Sequence, residues 1–187
     1  MSRWEPGIRE RLQEAALTLF DEQGFEKTTV TEIAESVGVN RRTFFRNFAD
    51  KRDVLFSYVE TLQGQLCDAI AEAPTELSPL DAIAAALTNL DKLVAPRQYL
   101  RQRQAVIAAS PELTERELIK FESLATAFNE GLRRRGVVDS IGVLAAQAGV
   151  IIFRTAFERW ISPENDEDMS LIVQEVLGRF RDAVMPS

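Results

Sequence analysis

Apolar residues recur every three or four positions along almost the whole chain, and that spacing constrains the fold before anything else does. Ile8, Leu12, Ala15, Ala16, Leu19 and Phe20 form one stripe on a first helix that ends at Gly24. Thr29 and Glu32 stand at capping-box spacing and open a second helix through Val30, Ile33, Ala34 and Val37, closed by Gly38. Asn40 is an N-cap for a third, Arg41 to Phe48. Lys51 to Glu72 reads as one longer helix, stopped at Ala73-Pro74 because proline disfavours a helical predecessor. Ser78-Pro79 and Ser110-Pro111 each place a capping residue before a proline at the first helical position. Ala95-Pro96 separates Leu80 to Val94 from a helix around Gln98 to Ala109. Leu113 to Arg135, Ser140 to Ile161 and Met169 to Val184 complete a set of about nine helices. Strand-like alternation is absent, so the expected fold class is all-α.

The 187 residues are 45% hydrophobic, enough to bury a real core. There is no histidine and one cysteine, Cys67, which excludes Ser-His-Asp and Cys-His nucleophiles, histidine-ligated zinc and internal disulfides. A lone cysteine of this kind reads as a packing residue. No phosphate loop or paired-carboxylate motif is present either, so the expectation is a protein that is not an enzyme and carries no cofactor or metal. The acidic run Glu164 to Asp168 precedes the last helix, where negative charge suits the helix dipole, and Arg133 to Arg135 suit the end of another for the converse reason. Met1 to Arg11 lacks the apolar stretch of a targeting signal. The apolar run Ser140 to Phe153 falls short of the roughly 20 residues that cross a bilayer. Together these readings predict a soluble, cytoplasmic protein with no membrane partner.

Net charge is −7, which on its own argues against nucleic acid. Resolved along the chain, the picture changes. From Asn40 to Arg52 five basic residues face one acid, giving this segment +4 and the remainder −11. Two short helices joined through Gly38 have the proportions of a helix-turn-helix. On the wheel of the third helix Phe44 and Phe48 point toward the first two helices, Arg42, Thr43 and Arg46 point away, and Phe45 and Asn47 flank the polar face. A solvated basic face is the ordinary reading of such a segment. The turn and the aromatic backing favour a phosphate-seeking surface instead. Arg42, near the helix start, is placed for bidentate contact with guanine, and Arg46, one turn later, for a phosphate.

The residues Ala15-Ala16-Leu17-Thr18-Leu19-Phe20, Gly24-Phe25, Thr28-Thr29-Val30, Ile33-Ala34, Val37-Gly38-Val39 and Thr43-Phe44-Phe45-Arg46-Asn47-Phe48, with Lys51 and Leu55, resemble the DNA-binding domain of the TetR (tetracycline repressor) family over about residues 8 to 55. The resemblance implies a homodimeric regulator, released from DNA by a small ligand. It assigns 1–50 to the DNA-binding domain and 51–187 to effector binding and dimerisation. It also implies that Thr28 and Thr29 touch phosphate, that Arg41, Arg42 and Thr43 face bases or phosphates, and that Lys51 holds a phosphate. Phe45 stands where the family usually has tyrosine, leaving ring contact, for instance with a thymine methyl. Asn47 replaces tyrosine or histidine, and its amide is available for phosphate or adenine.

Ser140 to Ile161 is apolar around nearly its whole circumference, which calls for burial on every side. With the last helix it suits the family's dimer interface, for which Ile141, Leu144, Ala148, Ile152, Phe153, Trp160, Ile172, Val176 and Phe180 are the candidates. An effector pocket among the middle helices draws on Leu62, Leu66, Leu87, Leu90, Arg101, Val106, Phe121, Leu124 and Phe128, with Arg97 and Arg103 as further anion contacts at its edge. Core packing alone accounts for most of these. The recognition-helix sequence resembles a subgroup with acyl-thioester ligands, so the expected effector is small and apolar or amphipathic. The leading expectation is a ligand-responsive repressor that binds a palindromic operator in double-stranded DNA. The alternative is a helical ligand carrier or scaffold whose helix-turn-helix no longer binds DNA.

Overall fold

The computed structural model describes residues 7–184, so the Met1 to Pro6 part of the segment read for targeting lies outside the described residues. Ten α-helices and one short 3-10 turn account for the regular structure, and no strand occurs among the described residues. The helices are α1 (Ile8–Gln23), α2 (Val30–Ser36), α3 (Arg41–Asn47), α4 (Asp53–Phe56), α5 (Val59–Glu72), α6 (Pro79–Leu87), α7 (Arg97–Ala108), α8 (Pro111–Arg134), α9 (Asp139–Ile161) and α10 (Met169–Val184). The all-α expectation holds. Local chemistry sets the ends as the sequence suggested: Thr29 and Glu32 complete a capping box, the Asn40 carboxamide accepts the Thr43 amide at 3.0 Å, and Ser78 caps Pro79–Leu87. Gly38 takes a φ of 77°, the left-handed turn between α2 and α3 that other residues adopt at a cost.

One expected helix is two. Lys51 to Glu72 breaks between α4 and α5 at Ser57 and Tyr58. The Gln13 side chain donates to the Val54 carbonyl at 3.4 Å, and Arg103 Nε donates to the Leu55 carbonyl at 2.8 Å. Those two carbonyls would accept from the amides of Tyr58 and Val59 in an unbroken helix. Side chains from elsewhere have taken their place. Leu80 to Val94 is also shorter than expected, ending at Leu87 and followed by the 3-10 turn Leu90–Lys92.

The chain divides into two compact units. The first comprises the described residues through Tyr58 together with Gln102–Glu117. Its core joins Leu12, Leu17, Phe20, Ile33, Phe44, Phe48, Leu55 and Phe56 with Ile107 and Leu113. Arg103, an expected anion contact, belongs here and is 4% exposed. Its guanidinium lies over the Phe56 and Tyr58 rings at 5.0 and 5.4 Å and within 3.5 Å of Glu117, so the buried charge is paired and hydrogen-bonded within the fold.

The second unit comprises Val59–Arg101 and the described residues from Leu118 on. In it α9 packs on α6 and α10. Gly149 permits the approach to α6, since a Cβ there would lie 2.8 Å from Ile83 Cγ2. The apolar run of α9 belongs to a helix of 23 residues, longer than the run suggested, and it is the one described helix long and apolar enough to cross a membrane. In this fold it sets Ile152, Phe153, Ala156 and Trp160 into the unit's core. Arg101 donates to the Ile161 and Ser162 carbonyls, and Arg97 to those of Asn165 and Glu167, which fastens the turn between α9 and α10. Arg133 pairs with Glu130, Arg134 with Asp68, and Arg135 donates to the Pro74 and Leu77 carbonyls. Arg134 also reaches the buried Cys67 sulfur at 3.6 Å.

Candidate nucleic-acid interface

The α2–α3 pair presents a short helix with two unlike faces. Phe44 and Phe48 are buried and stack with centroids 5.4 Å apart, anchoring α3 to α1 and α2. Arg41, Arg42, Phe45 and Arg46 face outward. Phe45 is 48% exposed, its ring edge-on to Phe44 at 5.5 Å, with the Arg41 guanidinium 5.8 Å from its centroid. Arg42 and Arg46 make no ion pair among the described residues. Seven residues at about 1.5 Å each give a helix about 10 Å long, within the width of a major groove.

The other expected contacts are placed differently. Thr28 is 1% exposed, and its hydroxyl donates to the Gly24 carbonyl at 2.9 Å, so it is a buried turn residue and not a surface contact. Thr29 is exposed, but its hydroxyl and amide are both engaged by Glu32. Those two hydrogen bonds hold the Glu32 carboxyl below the usual range, which fixes a negative charge on the first turn of α2. Thr43 leans on the Asn40 carboxamide at 3.2 Å. The Asn47 amide turns back to donate to the Thr43 carbonyl at 2.8 Å, leaving its own helix as its partner. Lys51 points inward as well: its ammonium donates to the Phe25 and Thr28 carbonyls at 2.6 and 3.0 Å and lies 4.0 Å from the Phe25 ring centroid.

The +4 count is therefore distributed unevenly. Arg52 is held by Asp50 at 2.9 Å and Glu112 at 2.8 Å, and Arg116 approaches Asp50 at 3.9 Å. Burial pushes the Asp50 carboxyl up, but hydrogen bonds from Arg52 and the Asp53 amide, with the two arginine charges, outweigh it and leave Asp50 below its ordinary value. Three arginines of α3 remain directed outward. Two residues that the sequence did not single out hold the ends of α2 and α3 in place. Arg9 donates to the Asn47 carbonyl and stacks over Phe48 at 4.6 Å, and Arg11 donates to the Val37 carbonyl at 2.8 Å. Each brings a cation to a helix C-terminus, where it is favoured. Their only trace in the sequence is basic character off the apolar stripe of α1.

Most of the candidate effector residues are buried. Leu62, Leu66, Leu87, Leu90, Leu124 and Phe128 are buried, Val106 is buried in the first unit, and Arg101 is spent on the carbonyls of Ile161 and Ser162. The second unit carries a groove of about 580 Å³ between α8 and α9, lined by Leu118, Ile119, Val150, Ile151 and Arg154 among others, and sharing only Phe121 with the expected set. Of the candidate dimer residues, Ile152, Phe153, Trp160, Ile172 and Val176 are buried within the chain's own core. Ile141 and Leu144 are exposed, Ala148 and Phe180 half-buried, and Ile151 continues the outward row.

Residues 12–58 match the family described as bacterial regulatory proteins, tetR family. The chain is 40% identical over 86 residues to the HTH-type transcriptional regulator TcmR of Streptomyces glaucescens, a match that covers 42% of this chain and 38% of that protein. It is 27% identical over 177 residues to the putative mycofactocin biosynthesis transcriptional regulator MftR of Mycobacterium tuberculosis, covering 92% of this chain and 87% of that one. Among solved structures, the SmeT–triclosan complex shares the fold with a TM-score of 0.65 and 19% identity, over 94% of this chain and 90% of the other. The helix-turn-helix with its outward arginines sits within the matched segment, and the likeness in fold extends over both units. Residues 12–58 carry the DNA-binding helix-turn-helix of the tetR family of bacterial regulatory proteins, and in sequence and fold the chain is similar to transcriptional regulators.

Proposed function

We propose that this regulator is a cytoplasmic homodimer that represses transcription at a palindromic operator and is released by a small apolar or amphipathic effector. In this reading the helices that read DNA lie within residues 1–50, and the second unit, within residues 51–187, binds effector and pairs the two copies. The observation that carries it is the two-sided α3, with Phe44 and Phe48 locked into the core and Arg41, Arg42 and Arg46 presented outward. Arg42 contacts a guanine edge and Arg46 a phosphate. Pairing is supported by the outward row Ile141, Leu144 and Ile151 on α9, since an apolar row of this kind on a soluble chain marks an interaction surface. Effector binding is supported by the complex that the structurally similar SmeT forms with triclosan.

Selection of binding sequences from a random DNA pool tests the proposal directly. The expected product is a palindrome with two half-sites about one helical turn apart. Arg42→Ala should then lose about 1–3 kcal/mol on the selected operator and relax one position in each half-site. Equal losses on operator and scrambled DNA would remove the base-reading role, and recovery of no preferred sequence would remove the DNA-reading role altogether.

A further inference from the structure

We propose that Phe45 is a specificity-determining residue that selects thymine by packing its ring against the 5-methyl group. The proposal rests on the DNA-reading role of α3. On that helix the neutral polar side chains have partners within the fold: the Asn47 amide donates to the Thr43 carbonyl at 2.8 Å, and Thr43 engages Asn40 through both its amide and its hydroxyl. The outward side chains that remain are the three arginines and Phe45. The Phe45 ring is 48% exposed yet positioned, because the buried Phe44 meets it edge-on with an interplanar angle of 83° and Arg41 lies over it at 5.8 Å. A phenyl ring neither donates nor accepts a conventional hydrogen bond, so it gains nothing from a phosphate oxygen or from the donors and acceptors of base edges. The base edges of the major groove carry one apolar group, the 5-methyl of thymine. Among the outward side chains of this helix, Phe45 is the one suited to that methyl.

The experiment uses the full chain and the operator selected from a random pool, with each thymine replaced in turn by deoxyuridine, which removes the methyl and keeps every hydrogen-bonding group. Burying one methyl corresponds to about fourfold in affinity, so one position per half-site should cost the wild-type protein about fourfold, and both half-sites together about fifteenfold. Phe45→Ala should bind the thymine operator more weakly and show no further loss with deoxyuridine. Phe45→Tyr, which keeps the ring, should keep the penalty. Circular dichroism checks that both variants fold, and the deoxyuridine scan of the wild-type protein needs no variant at all. A scan in which no thymine matters, or a penalty that is the same in wild type and Phe45→Ala, overturns the methyl contact while leaving DNA reading intact. Loss of selectivity in Arg42→Ala on the same operator confirms the underlying reading independently. If the wild-type protein selects no sequence, both fall together.

Discussion

Replacing Lys51 with methionine separates two roles for a residue at the start of the segment after the recognition helix. In the structure the ammonium donates to two carbonyls, Phe25 at 2.6 Å and Thr28 at 3.0 Å, and sits 4.0 Å from the Phe25 ring centroid. It bridges the turn between α1 and α2 to the chain beyond α3. Methionine keeps most of the stem's volume and removes the charge. A charge-assisted hydrogen bond contributes about 1.5–3 kcal/mol net, and at this half-buried position two of them, partly replaced by water in the variant, amount to about 2 kcal/mol. For a chain of this size that is a fall of roughly 4–8 °C in thermal midpoint. The assay is thermal unfolding followed by circular dichroism, alongside operator titration at several salt concentrations. An inward-facing ammonium predicts the lowered midpoint with an unchanged salt slope. A phosphate-holding one predicts an unchanged midpoint and, with each of the two copies of the proposed dimer neutralising one phosphate fewer, a slope shallower by about 1.8. The second outcome would refute the structural role drawn from these distances.

Two further perturbations test the second unit. Asp81 joins α6 to α10 through Arg181 at 2.6 Å, and its carboxyl is held below the ordinary range by the Ser78 hydroxyl first and then by Arg181. A carboxyl with a lowered folded-state pKa contributes stability that is fully present above its unfolded pKa of about 4 and lost as pH falls through the folded value. Asp81→Asn should therefore lower the thermal midpoint near neutrality and converge on wild type in acid; a constant difference across the titration would show that the ionised form is not what matters. On α9, Leu144→Lys should shift the molecular mass in solution toward a single chain while leaving helix content intact, because Leu144 is 73% exposed. Ile152→Ala, by contrast, should cost about 2–5 kcal/mol of stability as a buried core truncation. Retention of the higher mass by Leu144→Lys would place the pairing surface elsewhere.

The helices were legible because their signals are local. The capping box at Thr29, the cap at Asn40 and the serine-proline starts act within one turn, and each appears in the structure as a hydrogen bond or a helix boundary. The break at Ser57 was not legible, since it depends on Gln13 and Arg103 taking carbonyls 41 and 48 positions away. Thr28 and Thr29 illustrate the same limit within a candidate site. The spacing to Glu32 identifies Thr29 as the cap, but nothing in the spacing says that Thr28 closes the preceding turn from inside. Lys51 and Asn47 are polar residues in a basic segment, and their partners are backbone carbonyls, a kind of contact that composition does not encode. On α9 the difficulty is different. A helix apolar on every side has no sequence mark that separates the face meeting its own core from the face left outward, so Ile141 and Ile152 looked alike and turned out opposite.

Arg103 and its neighbours give the reading head an unusual parentage. The unit that holds α3 is assembled from two stretches of chain, because Gln102–Glu117 contributes Ile107, Leu113 and a buried guanidinium that binds the Leu55 carbonyl. A fragment cut after Tyr58 would leave Leu55 and Phe56 without part of their cover. Any chimera meant to transplant this helix-turn-helix onto another helical body must carry both stretches, or supply an equivalent of Arg103 in the recipient. Sequence drift in the middle of the chain is correspondingly answerable to the fold of the head, not only to whatever the body binds.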